Sequence, residues 1–249
     1  VNLAFAFADS VQRAPQKVAL FWGDAEYTYG ELGAQSRWVA KRLTVDFGVK
    51  PGDRVGIWLK NCPEFVPALY GILHAGAVVV PINNFLKPGE VQYILTDAGI
   101  TMLISDHSTA QNLAALRAVF PGLKILLADD FSAAPTESST PESHRPFRSP
   151  QAARRNNSEF PPLAVIIYTS GTTGHPKGAM LTHGNLLANI ESCRIVLEAV
   201  GDDRFAVLLP MFHSFMLTVG ILLPLTVGGS IVLVKSLHPA KNILLEVTR

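Results

Sequence analysis

The segment Tyr168-Thr169-Ser170-Gly171-Thr172-Thr173-Gly174-His175-Pro176-Lys177-Gly178 gathers hydroxyls, glycines and one lysine within eleven residues. It directly follows the apolar run 163–167, so a buried strand opens here into a loop rich in backbone N–H groups. Gly171, Gly174 and Gly178 let such a backbone curl around an anion without Cβ clashes. Consecutive N–H groups then form a concave nest for negative charge. Thr169, Ser170, Thr172 and Thr173 add hydroxyl donors, and Lys177 adds a point charge on a flexible stem. This is the chemistry of a polyphosphate site, with ATP as the expected ligand.

Spacing narrows the class. A Walker A loop has a glycine five positions after its first, then Lys and Ser or Thr. Here Pro176 holds that position and Lys177 is followed by Gly178, which excludes that loop type. A surface turn between a strand and a helix uses the same residue types, so composition alone leaves that alternative open. A second candidate is His213, between Phe212 and Phe215 and just past an apolar run. The C-terminal end of a parallel strand is where α/β sheets place ligands; a hydrogen-bonded core histidine is the alternative. His74 and His183 read as core histidines, and Glu31 as a structural carboxylate at a helix start.

Alternating elements must position these groups. Helices are expected over 2–13, 30–43, 63–74, 88–98, 111–120, 182–198 and 215–227. Strands are expected over 18–22, 26–28, 55–59, 78–82, 101–105, 124–128, 163–167, 205–209 and 231–234. The alternation indicates an α/β fold of two parallel-sheet βαβ subdomains. Residues 132–162 are rich in Ser, Pro, Arg and Glu and poor in packing material, the composition of a mobile linker. The expected division is a first subdomain over 1–131, the linker over 132–162, and an incomplete second subdomain over 163–249.

Composition excludes several functions. Hydrophobic residues make up 48% and charged residues 16%, with mean hydropathy +0.26, which suits sheets buried on both faces. Net charge of +1 gives no global field for nucleic acid. Cys62 and Cys193 form neither a disulfide framework nor a metal-ligand spacing, so no metal-ligating residue is assigned, and a reducing cytoplasm is the expected setting. The start of the chain lacks a basic segment, and Asp9 interrupts its apolar run, so it is not a signal peptide. No Asp, Glu, Lys or Arg occurs from Phe205 to Val234, but Pro210, His213, Gly220, Pro224, Gly228 and Gly229 punctuate the stretch. It parses as strand, loop, helix, turn and strand, not as a transmembrane span, and leaves room for a peripheral membrane contact.

The loop over 168–178 closely resembles the phosphate-binding signature of the adenylate-forming superfamily: acyl-CoA synthetases, peptide-synthetase adenylation domains and luciferases. Four further segments resemble motifs of that family, in family order. Tyr27-Thr28-Tyr29-Gly30-Glu31-Leu32 matches "TYxEL", and Pro51-Gly52-Asp53-Arg54-Val55-Gly56-Ile57 matches "GDRV". Residues 73–83, Leu-His-Ala-Gly-Ala-Val-Val-Val-Pro-Ile-Asn, match "AGAxxVPxN", and Leu209-Pro210-Met211-Phe212-His213 matches "LPxFH". The resemblance implies an acyl-CoA ligase reaction. A carboxylate attacks the α-phosphate of Mg-ATP, giving an acyl-adenylate and pyrophosphate, and a thiol, commonly that of coenzyme A, then takes the acyl group. It implies nucleotide contacts at Thr169 to Gly174 and Lys177, with Lys177 the candidate catalytic group. It also implies contacts to the acid at His213 and Phe212.

The apolar composition of 212–225 adds an expectation of an aliphatic, fatty acid substrate. The acceptor stays open between coenzyme A and a carrier protein, and a non-catalytic nucleotide- or acyl-binding module is a further alternative. The family's later motifs, an acidic "TE" pair for Mg²⁺, a "TGD" aspartate for ribose and a C-terminal lysine, do not occur in the residues up to Arg249. The expectation is therefore the N-terminal part of a larger ligase, ending before the family's β-barrel and C-terminal domain. Its other catalytic residues are expected beyond Arg249, and the fragment is not expected to be competent for adenylation by itself.

Overall fold

The computed structural model describes residues 2–134, 163–169 and 175–236, together with 243, 244 and 247. The first helix, α1 (Leu3–Arg13), begins where the Asn2 side chain accepts a hydrogen bond from the Ala4 N–H at 2.9 Å, satisfying a donor that a helix start leaves open. β1 (Val18–Trp22) and β2 (Ala25–Thr28) form an antiparallel hairpin. α2 (Tyr29–Lys41) opens on a capping box. The Thr28 hydroxyl accepts from the Glu31 N–H at 3.2 Å, and the Glu31 carboxylate accepts from the Thr28 N–H at 2.7 Å. Glu31 thus has the structural role expected of it.

β3 (Arg54–Ile57) starts from a turn in which Gly52 takes a φ of 88° and the Asp53 carboxylate accepts from the Lys50 N–H. α3 (Phe65–His74) ends in a Schellman motif: Gly76 has a φ of 72°, its N–H donates to the Leu73 carbonyl, and the Ala77 N–H donates to the Ile72 carbonyl. β4 (Val78–Pro81) follows at once. Next come α4 (Pro88–Asp97), β5 (Met102–Ser105), α5 (Ala110–Val119) and β6 (Lys124–Leu127). β7 (Leu163–Thr169), β8 (Lys177–Thr182), α6 (His183–Val196) and β9 (Arg204–Val207) come after them. A π-helical stretch over Met216–Leu222 leads into α7 (Leu223–Val227) and then β10 (Ser230–Leu233).

The strands build two sheets. One has the order β6-β5-β3-β4-β7-β8, parallel except for β8; the other has the order β2-β1-β10-β9, parallel except for β2. This corrects the expected division at 132–162. β7 and β8 join the sheet of β3–β6, while β9 and β10 join β1, so each sheet draws strands from both sides of the boundary. Apolar runs locate strands but carry no record of their partners, and each sheet here recruits a distant strand to cover a buried edge. A 3₁₀ turn over Ala128–Ala133 also runs past the expected boundary, with Phe131 buried against the edge of Trp38. The rest of the expected linker, 135–162, lies outside the described residues.

Helices α1, α2, α3, α6 and α7 lie between the sheets, where their apolar residues merge with both in one core. α4 and α5 cover the far side of the six-stranded sheet in a second core. The strands alternate between the two: Val55 and Ile57, Val79, Met102 and Ile104, Val165 and Ile167 face the first, while Val78 and Val80, Leu103 and Ile166 face the second. Burial on both faces explains why these strands are continuously apolar. Among the described residues, no helix is long and apolar enough to cross a membrane.

α3 is buried at every residue from Phe65 to Leu73. It crosses α2 closely at Gly71, where an added Cβ would lie 2.5 Å from a Val39 methyl and 3.0 Å from the Ser36 carbonyl oxygen. Gly71→Ala is therefore expected to destabilise the fold by about 1–3 kcal/mol through overpacking, measured as a lowered thermal midpoint.

His183, the first residue of α6, accepts through Nδ1 a hydrogen bond from the Leu3 N–H at 3.3 Å, closing the start of α1 from 180 residues away. Burial pulls its pKa down to about 4, and the positive ends of two helices oppose its protonation. The unfolded chain, with an ordinary histidine pKa near 6.5, binds more protons below that value. The neutral side chain's contribution, on the order of 3 kcal/mol, is present above about pH 6.5 and lost as pH falls towards 4. His74, pulled down to about 3 by burial, acts in the same direction. Urea midpoints measured from pH 7 to pH 4.5 should fall in the wild type and fall less steeply in His183→Gln.

Candidate functional site

The described ends of the phosphate-loop candidate lie on the two paired strands of a β-hairpin. β7 and β8 pair antiparallel, with Tyr168 opposite Gly178 and Thr169 opposite Lys177. The expected passage from strand through loop to helix is thus corrected: strand β8 intervenes before α6. Its sequence, Lys177-Gly-Ala-Met-Leu-Thr182, lacks a continuous apolar run because β8 is an exposed edge strand, with Met180 68% exposed. Thr169 and Lys177 stand on the two stems, both exposed. Ser170, Gly171, Thr172, Thr173 and Gly174, also expected to contact nucleotide, lie outside the described residues. Gly178 makes room, since a Cβ there would come within 2.8 Å of Ile166 and 3.2 Å of the Tyr168 ring.

α4 braces this hairpin from below. The Tyr93 hydroxyl donates to the Pro176 carbonyl at 3.3 Å, and its ring stacks on His175 with centroids 5.1 Å apart. One turn further along α4, Asp97 accepts a hydrogen bond from the Tyr168 hydroxyl. Burial and then this hydrogen bond push the Tyr168 pKa up, so the phenol stays a neutral donor. Tyr93 and Asp97 escape sequence reasoning because a single polar residue on a helix carries no sign of a partner 83 or 71 residues away.

The second candidate follows β9. The His213 N–H donates to the Pro210 carbonyl at 3.0 Å, and the Phe215 N–H donates to His213 Nδ1 at 3.3 Å. Nδ1 is therefore the acceptor, and a neutral ring carries its proton on Nε2. The side chain is exposed, unlike buried His183. Phe212 is half-buried and meets Phe85 edge-to-face with centroids 6.4 Å apart. Phe85 follows β4, on a turn in which the Asn83 side chain accepts from the Phe85 N–H and the Trp58 indole donates to the Asn83 carbonyl.

Asn61, after β3, completes the link. Its amide donates to the Leu209 carbonyl at 2.9 Å and accepts from the Met211 N–H at 2.8 Å. The carboxyl ends of β3, β4 and β9, drawn from both sheets, are thereby gathered together. β7 runs parallel to β4, Val165 opposite Val79, so the carboxyl end of β7, at Thr169, lies on the same side. This is where open parallel sheets place ligands.

Met216, Leu217, Ile221, Leu222, Leu223 and Leu225 are buried in the helix layer at 0–5% exposure. Their apolar character is taken up in the core, so it no longer supports an aliphatic substrate; the apolar groups open at this end are Leu208, Leu209, Phe215 and Phe85. Cys62 is partly buried, and its thiol is pushed well up, first by burial and then by Glu64, which makes it a poor nucleophile. Among the described residues no group of three His, Cys, Asp or Glu side chains converges on a point. Arg249, beyond which the other catalytic residues are expected, itself lies outside the described residues. Of the candidate catalytic groups, Lys177 alone is placed by the structure.

A family model described as "AMP-binding enzyme" matches residues 7–249. The chain is 34% identical to a feruloyl-CoA synthase of an Amycolatopsis species, over 91% of this chain and 42% of that protein. It is 30% identical to a long-chain-fatty-acid–CoA ligase of Escherichia coli O6:H1, over 100% of this chain and 49% of that protein. It is also similar to the inhibitor-bound N-terminal domain of FACL13 from Mycobacterium tuberculosis, with TM-score 0.81 and 27% identity, covering 99% of this chain and 60% of that one. The chain thus spans less than half the length of the two curated relatives. With the family model covering all but the first few residues, and the same mixed α/β architecture in the solved neighbour, the chain belongs to the AMP-binding enzyme family.

Proposed function

We propose that this chain supplies the phosphate-binding and acid-binding elements of an ATP-dependent carboxylic acid–CoA ligase, with further catalytic groups contributed from beyond Arg249. The observation that carries the reading is the pairing of Thr169 with Lys177 on the stems of a glycine-rich hairpin, at the sheet end where the His213 turn is also anchored. In the first half-reaction a carboxylate oxygen bonds to the α-phosphorus of ATP, and the bond between the α-phosphorus and the bridging oxygen breaks to release pyrophosphate. In the second, the coenzyme A sulfur bonds to the acyl carbon, AMP leaves, and the thiol proton is lost to solvent.

Transfer of this kind is accelerated by positioning and by donors aimed at developing charge. Lys177 is the cation for the phosphates, Thr169 a hydroxyl donor, and Ser170 to Gly174 the backbone nest. His213 and Phe212 face the acid, Phe212 through its ring. Magnesium accompanies ATP in this chemistry by neutralising phosphate charge. Among the described residues no group of three His, Cys, Asp or Glu converges on a point, so no ligand is assigned and no step depends on one.

The named relatives act on a long-chain fatty acid in one case and on ferulate in another. The reading is therefore a carboxylic acid with an apolar body, with fatty acids as the first candidates. The two cysteines are unpaired in a disulfide sense, which accords with a reducing cytoplasm. Peripheral contact with a membrane, the source of a lipid substrate, is part of the same proposal; nucleic acid is not.

The test is acid-dependent exchange of pyrophosphate into ATP by the intact protein, with a panel of fatty and aromatic acids. Lys177→Ala should lower the exchange rate about 100-fold or more, with Lys177→Arg intermediate. ATP hydrolysis that needs no acid, abolished by the same substitution, would instead contradict the ligase reading.

A further inference from the structure

Asn61 makes an unusual use of a side-chain amide. In a parallel ladder, one residue donates its N–H to the carbonyl preceding the residue opposite and accepts from the N–H following it. The Asn61 amide does this around Pro210, donating to Leu209 at 2.9 Å and accepting from Met211 at 2.8 Å. It therefore acts as one residue of parallel strand, extending the order of β9 beyond Val207 into the segment that carries Phe212 and His213. Met211 is buried in the core and Phe212 meets Phe85, which hold the far end of that segment, while its stretch next to β9 is open to solvent. Leu208, Leu209, His213 and Ser214 are exposed, and β9 is the last strand of its sheet. Asn61 itself lies between β3 and α3, on the six-stranded sheet, which also holds the hairpin of Thr169 and Lys177.

We propose that Asn61 is a positioning residue: it sets the placement of the His213 turn relative to the phosphate hairpin, and so the fit of the carboxylic acid to the nucleotide. The inference rests on the ligase reading, with His213 on the acid side. Both amide functions are needed because each satisfies a different peptide group of the turn. Asn61→Leu, close in size, removes both hydrogen bonds. Asn61→Asp keeps the acceptor for Met211 but turns an oxygen towards the Leu209 carbonyl.

The experiment measures KM for acid and for ATP in pyrophosphate exchange by the intact protein, in Asn61→Leu, Asn61→Asp and His213→Ala. Loss of two hydrogen bonds predicts a rise in acid KM of about tenfold or more in Asn61→Leu, with ATP KM within about twofold. Asn61→Asp should show the same selectivity, and hydrogen exchange at 208–214 should quicken in both Asn61 variants. Parallel changes in acid and ATP KM with a lowered thermal midpoint would reduce Asn61 to a general structural role and overturn the proposal. An unchanged acid KM in the Asn61 variants, with a raised one in His213→Ala, would overturn it while leaving the ligase reading intact. An unchanged acid KM in His213→Ala would remove His213 from the acid site, and the proposal would fall with it. Should Asn61→Leu fail to fold, Asn61→Asp decides by the same criteria.

Discussion

Helix α3 has no side that faces water, and much of the architecture follows from where it has to be buried. Every residue from Phe65 to Leu73 is enclosed, so α3 needs apolar partners all round. β3 and β4 of the six-stranded sheet provide them on one side, and α1 and α2 on another, with Tyr70 stacked on Phe7 at 4.0 Å. α2 in turn packs on β1 and β2 of the other sheet. The helix layer is therefore common to both sheets, and neither could leave without exposing it. The Tyr29 hydroxyl adds a polar tie, donating to the Gly229 carbonyl at 2.7 Å and joining the start of α2 to the turn before β10.

Several family motifs turn out to serve this arrangement. Thr28 to Glu31 is a capping box, Pro51 to Asp53 a turn into β3, and Ala75 to Ala77 the Schellman close of α3. These motifs fix where elements start and stop. Chemistry is left to the loops at the carboxyl ends of the strands, where the Asn61 and Asn83 side chains and the Phe85–Phe212 contact hold the connections in place. Rigid strands and short anchored loops suit the proposed reaction, which depends on aligning a carboxylate with a phosphorus atom.

The strands and helices were largely legible in the sequence, because burial on both faces writes continuous apolar runs and capping residues mark the helix starts. The pairing of distant strands was not: nothing in Leu163–Thr169 says that β4 is its neighbour, or in Ser230–Leu233 that β1 is. β8 was missed because an edge strand has no need of apolar residues on both faces. Lys177 and His213 stand out as candidates through composition and motif. Asn61, Tyr93 and Asp97 were not, since each acts through a partner between 71 and 150 residues away. The apolar composition of 212–225 suggests an aliphatic substrate, yet from 216 onwards it serves a core, and burial tells the two apart.

The central claim is that the β7–β8 hairpin and the His213 turn, carried by different sheets, line one site for nucleotide and acid. Hydrogen–deuterium exchange of the intact protein with a non-hydrolysable acyl-adenylate analogue tests this most directly. The account predicts slowed exchange in peptides from both segments at the same analogue concentration. Protection confined to one of them, or absent from both, would contradict it.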